Sequence, residues 1–188
     1  MENTIFRVTV ISEVLLGGGL ILTLIKPRLR IWPPPERRSW QYAYTWMLTI
    51  VSMLGTMVLG ILDWDSFVFG HWVRFVVGGV LFCLGLAFAL WGIRSLGVHA
   101  TQGLEGQFVT TGAYTYSRNP QYVGDILCFA GYAVVCNSRL AFVTSLLGIA
   151  WFILTPFTEE PWLRERFGGP YDEYAARVPR LVFFRNKS

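Results

Sequence analysis

Three short stretches carry most of the chemistry-bearing side chains in the second half of this chain. Gly106-Gln107-Phe108-Val109-Thr110-Thr111-Gly112-Ala113-Tyr114 has glycine near both ends, where a backbone can approach a ligand closely. Arg118-Asn119-Pro120-Gln121-Tyr122-Val123-Gly124 brings a guanidinium able to hold a carboxylate or phosphate bidentately. Its plain alternative is a positive anchor beside a proline that suits the first turn of a helix. Glu159 and Glu160 lie between Pro156 and Pro161, and each proline frees the carbonyl four residues back, those of Phe152 and Phe157. Adjacent helical residues diverge by about 100°. One glutamate is therefore expected to face a cationic or hydroxyl-bearing ligand, and the other to serve structure through Thr158 as N-cap and a Glu160–Arg164 pair. The glycines match neither a P-loop nor a dinucleotide fingerprint.

The elements that must position these groups read as membrane spans. The chain has 188 residues, 53% hydrophobic and only 15% charged, against about 25% charged in soluble domains. Its aromatic content suits membrane interfaces. Cys83, Cys128 and Cys136 sit within apolar runs and read as small hydrophobes, and no metal-ligand pattern is apparent. The net charge of +4 does not indicate nucleic acid, because the basic residues cluster between apolar runs.

Five spans are expected: 5–25, 42–62, 71–91, 122–136 and 140–157, against the roughly 20 residues that a crossing helix needs. The first contains Glu13, which must face protein, water or a partner, and no small-residue cleavage site marks it as a removable signal. The loop 26–41 is basic and proline-broken, and is read as a solvated or headgroup-level linker without a further role. Tyr42, Tyr44 and Trp46 are read as interfacial anchors, and Arg74 as a side chain that snorkels outward. The segment 92–117 is read as irregular. Asn137-Ser138-Arg139 is short enough to force an antiparallel hairpin. The tail is expected to form one short helix from about Glu159 to Phe167 and another from about Tyr171 to Val178.

With five spans, all basic residues except Arg7, Arg74 and Arg139 fall on one side, and Asp63 and Asp65 on the other. The positive-inside rule then places the amino terminus outside and the tail in the cytoplasm. The hairpin returns the tail to the side of the loop 92–121. The whole is expected to be one all-α polytopic membrane domain, with three spans in 1–91 and the catalytic loop, hairpin and tail in 92–188.

In combination, these residues resemble the membrane methyltransferase superfamily that includes isoprenylcysteine carboxyl methyltransferase and the phospholipid N-methyltransferases. The resemblance rests on Phe108-Val109-x-x-Gly112-x-Tyr114, then Arg118-Asn119-Pro120-x-Tyr122-x-Gly124, then Glu159-Glu160-x-x-Leu163-x-x-x-Phe167-Gly168-x-x-Tyr171-x-x-Tyr174. It covers about the last hundred residues. It implies methyl transfer from S-adenosylmethionine to a lipophilic acceptor at the cytoplasmic membrane face. Gln107, Val109, Gly112, Tyr114, Asn119, Pro120, Tyr122 and Glu159 or Glu160 would enclose the cofactor. Arg118 would position an anionic acceptor, and Arg118 and Glu160 would be the catalytic pair. Asn119 replaces the family's His, and Gln107 stands where relatives often have another, so no histidine base is available at these positions. The acceptor could be a prenylated cysteine carboxylate, a phospholipid amine or a small thiol. An NADPH-dependent membrane reductase related to the sterol reductases shares the late-chain architecture, but its Cys-bearing tail is not matched here. A non-enzymatic scaffold is the third reading.

Overall fold

The computed structural model describes residues 1–182; the tail charges Arg185 and Lys187 lie outside them. Seven α-helices run in the order α1 (Glu2–Ile25), α2 (Trp40–Leu62), α3 (Val73–Leu96), α4 (Val98–Thr101), α5 (Pro120–Cys136), α6 (Arg139–Phe167) and α7 (Gly169–Arg177). No strand occurs among the described residues. Helices α1, α2, α3 and α6 are long and apolar enough to cross a membrane. The fifth expected span, α5, has 17 residues and so a length of about 26 Å, short of the roughly 30 Å hydrocarbon core. Its limits are set by Pro120 in its first turn and by Asn137, which leaves the helix in the left-handed region at φ 50°.

The five long helices alternate in direction, giving the bundle a basic end (26–39, 97–119 and the tail) and an acidic end (63–72 and 137–138). Helix α5 packs between α3 and α6, while α1 and α2 pack on each other and on the other flank of α6. The α3–α5 contact is backbone on backbone. A Cβ on Gly85 would sit 2.6 Å from the Gly124 carbonyl, and one on Gly131 would sit 2.6 Å from the Gly78 carbonyl. Glycine spaced by seven along both helices keeps this stripe on one face, so dispersion contacts and close approach replace the hydrophobic drive that lipid does not supply. The α1–α2 seam uses hydroxyls instead: Thr9, Ser12, Ser52 and Thr56 are buried. Glu13 faces protein, as expected, and its Oε1 accepts from Ser52 Oγ at 2.9 Å.

At the acidic end the two loops are clipped together. Asp63 Oδ2 accepts from Ser138 Oγ at 2.8 Å and from the Leu140 N–H at 3.0 Å, capping the start of α6 from outside. Asn137 donates to Asp65 at 2.7 Å and accepts from the Phe69 N–H at 2.8 Å. Arg74 does not snorkel. It is 8% exposed and pairs with Asp65, because the 63–72 turn folds a carboxylate back over the start of α3. Burial opposes ionisation of Asp63, but hydrogen bonds from Leu140, Ser66 and Ser138, with Arg139 nearby, together hold its carboxyl below the usual carboxylate range. A carboxyl so depressed adds stability that is present above about pH 4 and is lost as pH falls through its lower folded value. Melting of wild type and Asp63→Asn in detergent across pH 7 to 3 should therefore show a steeper acid loss for wild type; parallel curves would remove Asp63 from the clip.

Two further expectations are corrected. The break before Glu159 is absent, since α6 runs unbroken to Phe167 with both prolines inside. Thr155 Oγ1 donates to the Trp151 carbonyl and Thr158 Oγ1 to the Thr155 carbonyl, each at 2.8 Å. These bonds offset part of what the prolines remove, and Thr158 is no N-cap. The segment 92–117 is partly helical, with α3 reaching Leu96 and a 3-10 turn at Gly112–Thr115. At the start of α2, Tyr42 and Trp46 donate to Gln102, and Tyr44 donates to the Leu15 carbonyl at 2.7 Å.

Candidate functional site

A cleft at the basic end gathers most of the singled-out residues. Gln107, Val109, Tyr114, Arg118, Asn119, Tyr122 and Glu159 line it. Gly112, Pro120 and Glu160 do not. Gly112 has φ +63° and lies against Ser95, where a Cβ would come within 2.6 Å of Oγ. It turns the chain so that Ala113 and Tyr114 point inward and are buried. Pro120 starts α5 beneath the cleft.

The two glutamates part company as their 100° separation requires. Glu159 faces the cleft, where its Oε1 accepts from Trp32 Nε1 at 2.6 Å and from the Tyr122 hydroxyl. Both bonds fall on one oxygen, and among the described residues no donor is bonded to Oε2. Glu160, 3% exposed, turns into a knot of arginines. Arg180 donates to both of its oxygens at 2.6 and 2.8 Å, Arg118 Nη1 lies 3.1 Å away and Arg164 Nη2 3.7 Å away.

Arg118 is thus not a free headgroup-level cation. Its side chain is 6% exposed, because pairing with buried Glu160 draws it inside. Its Nε–H is nevertheless buried without a partner. A guanidinium with one orphaned donor on a cleft wall is set to receive an anionic group.

The tail fixes this geometry. The Arg118 N–H donates to the Pro179 carbonyl at 2.9 Å, Asn119 Nδ2 to the Arg180 carbonyl at 3.0 Å, and the Tyr174 hydroxyl to the Tyr114 carbonyl at 2.7 Å. Phe108 stacks on Phe167 with centroids 5.0 Å apart and meets Tyr174 edge-on at 5.6 Å, packing the tail against the loop as expected. Burial, with Glu160 close by, pushes Tyr171 up to about 12, and burial raises Tyr114 and Tyr174 as well. All three stay neutral at physiological pH.

Sequence reasoning missed two contributors. Trp32, in the loop taken for a plain linker, is 4% exposed and bonds Glu159. Arg180, in the tail, was counted only as one of the basic residues that set topology. A tryptophan directly ahead of three prolines, too constrained for a mobile linker, was the available signal for the first. Nothing local marked the second.

Fold and cleft together define a polytopic helical membrane protein with a polar site at one end of its bundle. The phospholipid methyltransferase family model matches residues 73–169, and the chain belongs to that family. Among similar proteins, phosphatidylethanolamine N-methyltransferase B of Dictyostelium discoideum is 26% identical over 134 residues, covering 65% of this chain and 67% of the relative. Protein-S-isoprenylcysteine O-methyltransferase B of Arabidopsis thaliana is 36% identical over 81 residues, covering 43% and 41%. The cobalt-zinc-cadmium resistance protein CzcN of Cupriavidus metallidurans is 29% identical over 150 residues, covering 76% and 66%. The chain thus spans about two thirds or less of these relatives' lengths. No solved structure matches it.

Proposed function

We propose that this protein transfers a methyl group from S-adenosylmethionine to a lipophilic acceptor, with the basic end of the bundle on the cytoplasmic face as the positive-inside rule requires. The observation that carries this reading is one cleft lined both by Glu159, held at Oε1 by Trp32 and Tyr122, and by Arg118, whose Nε–H is buried without a partner. A carboxylate and a guanidinium on one cleft fit the ammonium and carboxylate of an amino-acid moiety. The aromatic faces of Phe108, Tyr114 and Tyr174 suit a flat base and a sulfonium cation. Family membership and the two methyltransferase relatives support the same chemistry.

Bound, the cofactor supplies an electrophilic methyl group on sulfur. The protein's part is to align that group with the acceptor and to exclude water. Glu159 would hold the cofactor's cationic side and Arg118 its carboxylate, in place of the anionic acceptor that the resemblance assigned to Arg118, with Gln107, Val109, Asn119 and Tyr122 completing the wall. Gly112 and Pro120 act by shaping the loop and the helix start, and Glu160 acts by holding Arg118. A carboxylate or thiolate acceptor needs no general base, consistent with Asn119 and Gln107 where relatives carry histidine.

Calorimetric titration of the detergent-purified protein tests this. S-adenosylmethionine should bind saturably and NADPH should not, and Glu159→Gln should weaken binding about tenfold or more, the scale of a lost charge-assisted hydrogen bond. Binding of NADPH instead would overturn the reading in favour of a reductase.

A further inference from the structure

A small cavity of about 10 Å³ lies where α1, α2, α5 and α6 meet. Its walls include Glu13 and Leu16 on α1, Ser52 and Met53 on α2, Phe129 on α5 and Trp151 on α6. Trp151 precedes Glu159 by eight residues, so the cavity sits about 12 Å along α6 from the cofactor cleft. Glu13 stands midway along a helix long enough to cross the membrane, and neither the cofactor reading nor the clip at the acidic end uses it. Helices α1 and α2 both fall outside the segment matched by the family model, 73–169.

Two buried polar groups on this cavity lack a protein partner among the described residues. Glu13, 5% exposed, accepts from Ser52 Oγ at Oε1, but nothing bonds its Oε2. Trp151, 8% exposed, has an Nε1–H without an acceptor. Thr45, Thr56, Ser145, Arg74 and Arg118 also hold an unpaired buried atom, but none of them lines the cavity. A hydroxyl can moreover turn to the carbonyl one turn back in its own helix, as Thr9 and Ser12 do. A glutamate Oε2 and an indole N–H have no such recourse, and lipid offers them no partner.

The pair of groups says what would satisfy them. An ionised Oε2 needs a donor and a protonated one needs an acceptor, while the Trp151 Nε1–H needs an acceptor in either case. A hydroxyl oxygen answers all of these. A cation would face the indole N–H with like polarity, and an acyl methyl would leave both groups unpaired. The volume is on the order of what one water-sized group requires. Met53, 42% exposed, is the flexible part of the wall that reaches the outer surface of the bundle.

We infer that this cavity is a binding site for a single hydroxyl oxygen, which bridges Glu13 Oε2 and Trp151 Nε1 and so joins α1 to α6 in the middle of the membrane. The oxygen belongs either to a water molecule or to the hydroxyl of a slim lipophile that enters past Met53. The Trp151 ring stands 6.3 Å from that of Trp32, whose indole bonds Glu159. The bridge therefore also backs the wall of the cleft. The inference stands apart from methyl transfer and does not need it.

The test is magnetic resonance on the full chain, isotope-labelled at its tryptophan indole nitrogens, in a deuterated detergent without hydroxyl groups. Loss of one resonance in Trp151→Phe assigns the Trp151 indole. In wild type its proton should show a cross-peak to a hydroxyl proton, at the water frequency in detergent alone. Titration with octanol and, separately, with octane tells the two sources apart. A cross-peak that octanol leaves unchanged assigns the oxygen to water; one that octanol displaces saturably, and octane does not, assigns it to a lipophile's hydroxyl. In Glu13→Leu the cross-peak should be lost. That variant should still fold, since leucine suits the span and Ser52 can turn to the Leu48 carbonyl one turn back. In Glu13→Gln the cross-peak should be kept, because the amide offers both an acceptor and donors. A wild-type Trp151 proton with neither a water nor an octanol cross-peak would overturn the inference, whether or not Glu13→Leu folds. So would a cross-peak that survives in folded Glu13→Leu. Octane acting as octanol does would overturn it too, making the cavity an apolar one.

Discussion

Glu160→Ala is expected to destabilise the protein by about 3 to 5 kcal/mol, the scale for breaking a buried ion pair by removing one partner. The carboxylate is 3% exposed and is the shared counter-ion of Arg118, Arg164 and Arg180. Its removal strands the Arg118 guanidinium, whose side chain is 6% exposed, and releases Arg180, whose carbonyl anchors Ser117 and Asn119. Arg118→Ala should cost less, because Glu160 keeps the bidentate Arg180. Affinity for S-adenosylmethionine should fall in both, but for different reasons: collapse of the tail in the first, loss of the orphaned Nε–H donor in the second. Thermal melts in detergent, paired with limited proteolysis of the tail, read this out. If Glu160→Ala melts with wild type and its tail stays protected, the arginine knot does not hold the site.

The second large effect lies in the membrane. Gly124→Val should separate α3 from α5, because any Cβ at Gly124 would overlap the Ala89 N–H and approach the Gly85 carbonyl to 2.5 Å. Backbone atoms cannot rotate away as a side chain can, so the cost should reach or exceed the upper end of ordinary overpacking, about 3 kcal/mol. Gly85→Val should do the same from the facing helix. Gly79 supplies the control. It is on α3 with nothing within 4 Å, so Gly79→Ala should leave stability unchanged or raise it by up to about 1 kcal/mol through the gain in helix propensity. Yield and melting temperature of the three variants test the contact. Equal behaviour of Gly124→Val and Gly79→Ala would mean that the close approach carries no stability.

The sequence by itself determined the features that depend on local periodicity and on the solvent. Runs of apolar residues long enough for a bilayer leave a backbone no option but the helix, since every N–H and C=O must be satisfied within the segment. That is why α1, α2, α3 and α6 were readable, and why the three-residue joint at 137–139 was enough to announce the hairpin. The divergence of Glu159 from Glu160 was equally legible, because helical geometry alone sets it. The family motif marked Arg118, Asn119, Tyr122 and the loop 106–114 as one site.

Tertiary structure decided the rest, because each partner is met only once the chain has folded back on itself. Trp32 reaches Glu159 across 127 residues, so nothing beside Trp32 could show that the proline loop is a wall of the cleft. Arg118 looked like a free cation because its counter-ion, Glu160, lies one hairpin away. Arg74 looked like a snorkel because Asp65 reaches it only when the turn folds back. The prolines at 156 and 161 looked like a break because local rules count the lost N–H groups. They do not count the packing of α1, α2 and α5 against α6, through which the helix runs unbroken past both and so delivers Glu159 to the cleft and Glu160 to the arginine knot.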